Sequence, residues 1–144
     1  ELMRNAGKVV RFDTTSIEGI VDHDRLAYTL VEAMGQSGSS NQPATEPATE
    51  IDFLEEYTAD HRLLLHAWDG PRSFMVELDT SRSVIDPYGL VGLVNVVMRE
   101  RGRPERGLLA AENKGMCDVV VGPESALREI VDAGLLWIRA GFKW

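Results

Sequence analysis

Four residues have the types and spacing that metal-assisted hydrolysis needs. Glu112 and Lys114 form a Glu-x-Lys pair directly after an apolar run, Leu108 to Ala111, and Asp79 and Asp86 lie upstream. Two carboxylates brought together can share one Mg²⁺, and a lysine beside them can orient or activate the attacking water. The same residues also have a plainer reading. Glu112-Asn113-Lys114-Gly115 suits a type I turn closed by a glycine bulge, which would leave Glu112 and Lys114 in solvent.

An Asp followed by Glu-x-Lys on a neighbouring strand resembles the pattern of metal-dependent nucleases of the restriction type. The resemblance implies a Mg²⁺-dependent phosphodiesterase built on Asp79 or Asp86 with Glu112 and Lys114, and it rests on a short motif. Other catalytic patterns are missing. There is no G-x-S-x-G, and the glycines around Gly89 and Gly92 form neither a P-loop nor a G-x-G-x-x-G fingerprint. The single cysteine, Cys117, sits in the run Met116 to Val120, where an inert buried thiol is the expectation. His61 and His66 would lie on opposite faces of a strand, and His23 between Asp22 and Asp24 reads as a solvated helix end. A zinc site would need His and carboxylate ligands from distant segments.

Binding residues are suggested at two places. Arg99, Arg101, Arg103 and Arg106 form the densest basic stretch, with Glu100 and Glu105 interleaved. They complement a helix C-terminus, or else bind an anion or an acidic partner. Phe142 and Trp144 give the chain an apolar end that docks back, meets another subunit or stays exposed, a subunit contact being the preferred reading. The other tryptophans and tyrosines are expected mostly in the core.

Charge narrows the classes of partner. The net charge is −8, and 44% of the 144 residues are hydrophobic. Residues 1–60 hold twelve acids against four bases, whereas eleven of each follow. Such a balance disfavours sequence-independent binding to nucleic acid or to anionic membranes. No apolar run approaches the ~20 residues of a membrane helix. One cysteine permits no internal disulfide, which suits a reducing, cytoplasmic setting. The chain begins at Glu1 without methionine, so it reads as an interior piece or as a chain whose start is missing.

The elements that must position these residues follow from local pattern. Lys8 to Phe12 predicts a strand. Thr15 to Glu18 fits a capping box, and apolar spacing from Ile17 to Met34 predicts a helix closed by Gly35. A break at Asp22-His23-Asp24, with Asp24 capping a shorter helix, is the alternative. GQSGSSNQ and the repeat PATEPATE then make a flexible linker. Ile51 to Tyr57 reads equally as strand or helical turn. His61–Trp68 and Ser73–Asp79 predict a hairpin across Asp69-Gly70, with Phe74, Val76 and Leu78 on one face. Asp86-Pro87 opens a helix with Leu90, Leu93, Val94, Val97 and Met98 inward. Gly107–Glu112 and Met116–Val121 predict a second hairpin. Gly122-Pro123-Glu124 opens a last helix ending at Gly134, and Leu135–Ile138 predicts a closing strand.

The expected fold is therefore α+β: an antiparallel sheet of two hairpins or a meander, with about three helices packed on it and a flexible linker inserted after the first helix. Residues 1–34 form a strand-helix arm, 35–50 the linker and 51–144 the main segment, in one domain overall. The order helix, meander, helix, hairpin, helix is similar to that of small acidic chaperones of secretion systems, in element order alone. The expected function is a non-enzymatic protein-binding or regulatory domain of immunity, chaperone or adaptor type. Its partner is another protein, with a homodimer as one form of the contact, and it needs no cofactor. The alternative is the Mg²⁺-dependent phosphodiesterase.

Overall fold

A computed structural model describes residues 8–13, 23–37, 51–81, 85–113, 116–135 and 144. In chain order the elements are β1 (Lys8–Asp13), α1 (His23–Ser37), β2 (Ile51–Tyr57), β3 (Leu63–Asp69), β4 (Arg72–Leu78), α2 (Pro87–Glu100), β5 (Glu105–Asn113), β6 (Met116–Pro123) and α3 (Glu124–Asp132). The fold is α+β, with three helices and two antiparallel three-stranded sheets among the described residues. One sheet has the order β1-β6-β5 and the other β2-β3-β4. The two expected hairpins therefore stand in different sheets, and the ambiguous segment Ile51–Tyr57 is a strand.

The helices α1 and α2 lie between the sheets and share one core with both. Leu30 and Met34 of α1 and Leu90, Val94 and Val97 of α2 pack with Phe53, Leu65 and Leu78 from one sheet. Phe12, Leu109, Val119 and Val121 enter the same core from the other sheet. A helix pressed from both sides needs apolar residues around most of its circumference. Accordingly Leu90, Val91, Leu93, Val94, Asn95, Val97 and Met98 of α2 are all buried. The far face of β1-β6-β5 carries a second, smaller core, where Leu108 and Val120 meet Leu127 and Ile130 of α3.

Local chemistry explains the helix ends. Asp86 caps α2 by accepting the Gly89 N–H at 3.1 Å, and Pro87 occupies the first turn, where a missing N–H costs nothing. Gly102 ends the same helix with φ +75°, and the N–H groups of Gly102 and Arg103 return to Arg99 and Met98 carbonyls. Gly134 at φ +74° repeats the arrangement after α3, with Gly134 and Leu135 donating to Val131 and Ile130. Each glycine supplies the left-handed residue that this cap requires.

Three boundaries differ from expectation. The first helix runs through Gly35 to Ser37, and Gly35 does not take a left-handed φ, so it ends nothing. Asp24 is in the first turn of α1 and accepts the Arg25 N–H, where its charge suits the helix dipole without forming an N-cap. His61 has φ +64° and belongs to the turn before β3, which therefore starts at Leu63. The Thr15–Glu18 capping box, linker residues 38–50, the turn residues Lys114 and Gly115 and most of the closing strand Leu135–Ile138 lie outside the described residues.

Candidate functional site

Among the described residues no helix packs on the outer face of the β2-β3-β4 sheet, where Leu64 is the one outward residue that is buried. Alternation along each strand sends Ile51, Phe53, Leu65, Ala67 and Leu78 toward the helices. The opposite positions fall into three rows fixed by strand register. Asp52, Trp68 and Ser73 form the first, Leu54, His66 and Met75 the second, and Glu56, Leu64 and Glu77 the third. On this face Leu54 is 53% exposed, Met75 56% and Trp68 37%. Adjacent large apolar side chains left in water over a sheet usually mark a contact surface.

The polar residues of this face are ordered. The His66 ring stacks on Trp68, with centroids 5.6 Å apart and planes 12° from parallel, and its Nε2 lies 2.9 Å from Glu56 Oε1. Arg62 donates to both Glu77 carboxylate oxygens at 3.1 and 3.2 Å. These contacts limit the motion of the long side chains, so the face offers a pre-arranged surface. Along the β2 edge, the Tyr28 hydroxyl accepts the Phe53 N–H at 3.0 Å while its ring meets Phe53 edge-on. That contact covers part of the backbone edge and leaves the flat face as the accessible part.

Of the sequence-derived candidates, Asp79 and Asp86 are brought together. Asp79 follows β4 and accepts the N–H and hydroxyl of Ser81. Both oxygens of Asp86 are engaged, one by Gly89 N–H and the other by Asp79 N–H at 2.8 Å. Glu112 stands opposite Cys117 in the β5-β6 ladder, and its side chain, like Lys114, is outside the described residues. Among the described residues no cluster of three or more His, Cys, Asp or Glu could hold a metal ion.

The arginines face carboxylates. Arg99 is 3.7 Å from Glu100, and Arg101 is 3.6 Å from Asp69, a buried acid that also pairs with Arg72 at 3.0 Å. Arg103 holds the buried Glu105 through two bonds of 3.1 and 3.2 Å. Arg106 is buried, donates to the Arg103 and Glu105 carbonyls, and lies 3.7 Å from Glu124. Burial, reinforced by Arg99 and Arg128, pushes the Arg106 guanidinium below its ordinary value, while Glu124 and Glu105 act in the opposite sense. Trp144 packs on the α3 core under Arg128, whose guanidinium lies 4.6 Å from the ring centre. Phe142 and Trp137 are outside the described residues.

Two features were not anticipated. Tyr28, Tyr57, Trp68 and Tyr88 are all exposed, contrary to the expectation of mostly buried aromatics. The signal for Trp68 was present: Leu54, Leu64, Trp68 and Met75 put apolar groups on the parity opposite to the core residues. His23, expected in solvent, is buried. Its Nε2 accepts the Asp86 N–H at 2.9 Å, so Nδ1 carries the proton and donates to Glu55 at 2.5 Å. This histidine ties α1, β2 and the start of α2 together. No described helix is long and apolar enough to cross a membrane. In comparisons with known proteins, the chain matches no family model, no curated protein and no solved structure.

Proposed function

We propose that this chain is a small non-catalytic protein-binding domain, of the immunity, chaperone or adaptor kind, that engages another protein through the open face of β2-β3-β4. The observation that carries this reading is the juxtaposition of exposed Leu54, Trp68 and Met75 on one ordered face. Aromatic and methionine side chains are enriched at protein contacts, where they supply area at modest entropic cost. The acidic surface argues against nucleic acid as the partner. A reducing, cytoplasmic setting suits the single buried thiol of Cys117. A homodimer is one form of such a contact.

A photo-crosslinking residue placed at Met75 tests it, with the same residue at the exposed Glu129 of α3 as control. Irradiation in cells of the source organism should give a discrete adduct from position 75 and none from 129. Identical adduct patterns at both positions, together with a strictly monomeric chain, would sink the reading.

A further inference from the structure

The open face is patterned as well as apolar. Its middle row, Leu54, His66 and Met75, lies between a row containing Asp52 and a row containing Glu56 and Glu77. The outward positions of the three strands include those carboxylates and no lysine or arginine. Asp60 adds a further acid at the end of the face, and Arg62, the nearby cation, is held by Glu77. The two acidic rows are four residues apart along each strand, which is about 13 Å. Across the three strands the middle row spans roughly 10 Å.

These dimensions select a shape. A helix with its side chains is about 10–12 Å across, and two turns of it cover roughly 11 Å of length. Laid across the strands over Leu54, His66 and Met75, a helix would rest its apolar stripe on the middle row. Both of its margins would then fall over carboxylates. A crossing strand would not match this pattern, because its successive side chains alternate toward and away from the sheet. A second copy of the same face would set acid against acid, which opposes close contact. We infer that the β2-β3-β4 face docks an amphipathic helix of a partner protein, with lysine or arginine on both margins of its apolar stripe. The inference rests on the protein-binding reading above and specifies the chemistry of the partner.

The test is an amide NMR titration of the full ¹⁵N-labelled chain with a synthetic Leu/Lys amphipathic helix, and with its Leu/Glu counterpart. The basic helix should shift the amides of Leu54, Glu56, His66 and Met75 and the Trp68 indole, while the acidic helix should not. The D52K/E56K pair, on exposed positions of β2, should weaken the basic helix about tenfold. D52N/E56Q is the gentler pair if lysines disturb the strand, and a smaller weakening in the same direction is expected. Shifts confined to other acidic segments, or an affinity unchanged in both pairs, would overturn the inference. So would shifts of the same face on concentrating the chain alone, which would make a second copy the occupant. The crosslinked adduct separates the two levels. An adduct from position 75 that maps to a non-basic segment ends the helix assignment and leaves the protein-binding reading standing; no adduct there ends both.

Discussion

Among the described residues, sheet β1-β6-β5 is packed on both faces along β5 and β6 and sheet β2-β3-β4 on one face, and their central strands differ accordingly. In β6, Val119, Val120 and Val121 are buried in succession, because helices lie on either side. In β3, Leu65 and Ala67 face the core while His66 and Trp68 look outward. Near-continuous apolar runs belong to sheets covered twice, and alternation to sheets covered once. What the comparison teaches is where to look for function. In the covered part of β1-β6-β5, apolar side chains such as Leu108, Leu109, Val119 and Val120 are accounted for by packing, whereas Val9 and Met116 at its margins are exposed. On the open sheet, exposed Leu54, Trp68 and Met75 have no such account, and the proposed partner would supply one.

Truncation of leucines should expose this contrast most strongly. Leu108 and Leu109 are neighbours on β5 that enter different cores, so Leu108→Ala and Leu109→Ala should each cost about 2–5 kcal/mol in urea unfolding. On the other sheet only the inward residue should behave that way. Leu65→Ala should fall in the same range, while Leu54→Ala should change stability by about 0.5 kcal/mol or less. Equal costs at Leu54 and Leu65 would mean that the open face is covered, and the comparison would break.

A smaller effect is expected at the outer edge of the covered sheet. Asn95 of α2 donates to the Gly107 carbonyl at 3.0 Å and accepts the Gly107 N–H at 2.8 Å, so it serves as the missing neighbour of β5. A Cβ at Gly107 would sit 3.1 Å from a Val119 methyl, so a side chain there would make Val119 shift by a few tenths of an ångström. Asn95→Ala leaves both backbone groups buried without those bonds and should cost about 1–3 kcal/mol. Faster amide exchange at Gly107, with exchange in β3 unchanged, would localise the effect.

Asp86→Ala removes the N-cap of α2 and the acceptor for the Asp79 N–H, for a loss of about 0.5–2 kcal/mol by thermal unfolding. A wild-type Tm for this variant would show that the start of α2 is held by other contacts, with the His23–Asp86 bond the first to consider.

The smallest effect concerns acid. Arg11 and Asp118 face each other across β1 and β6 in a double hydrogen bond of 2.7 and 3.1 Å. This bond holds the Asp118 carboxyl below its ordinary value and raises the Arg11 guanidinium. Because the folded value is depressed, the contribution is present above the unfolded value. It is lost as pH falls through the folded value, below about pH 4. Asp118→Asn should therefore differ from wild type near neutral pH and converge with it in acid. Both residues are solvent-accessible, so the difference should be slight.

Several elements were legible because their causes are local. Asp86-Pro87, Asp69-Gly70 and Gly134 announce a cap, a turn and a helix end within a few residues of chain. His61 and Gly35 misled for the same reason: each sits where a local rule is satisfied but neighbouring contacts choose otherwise. The open face was half legible. The apolar groups at 54, 64, 68 and 75 are visible in the sequence, but whether a helix covers them depends on packing.

By itself the sequence determined the type of most elements, their apolar faces and the acidic balance of the chain, since these follow from neighbouring residues. Only the tertiary structure decided which sheet each strand joins and which sheet face stays open. It also decided that His23 meets residues 32 and 63 positions away. Those outcomes depend on contacts between segments far apart in the chain, whose closure entropy is offset only when the whole core assembles.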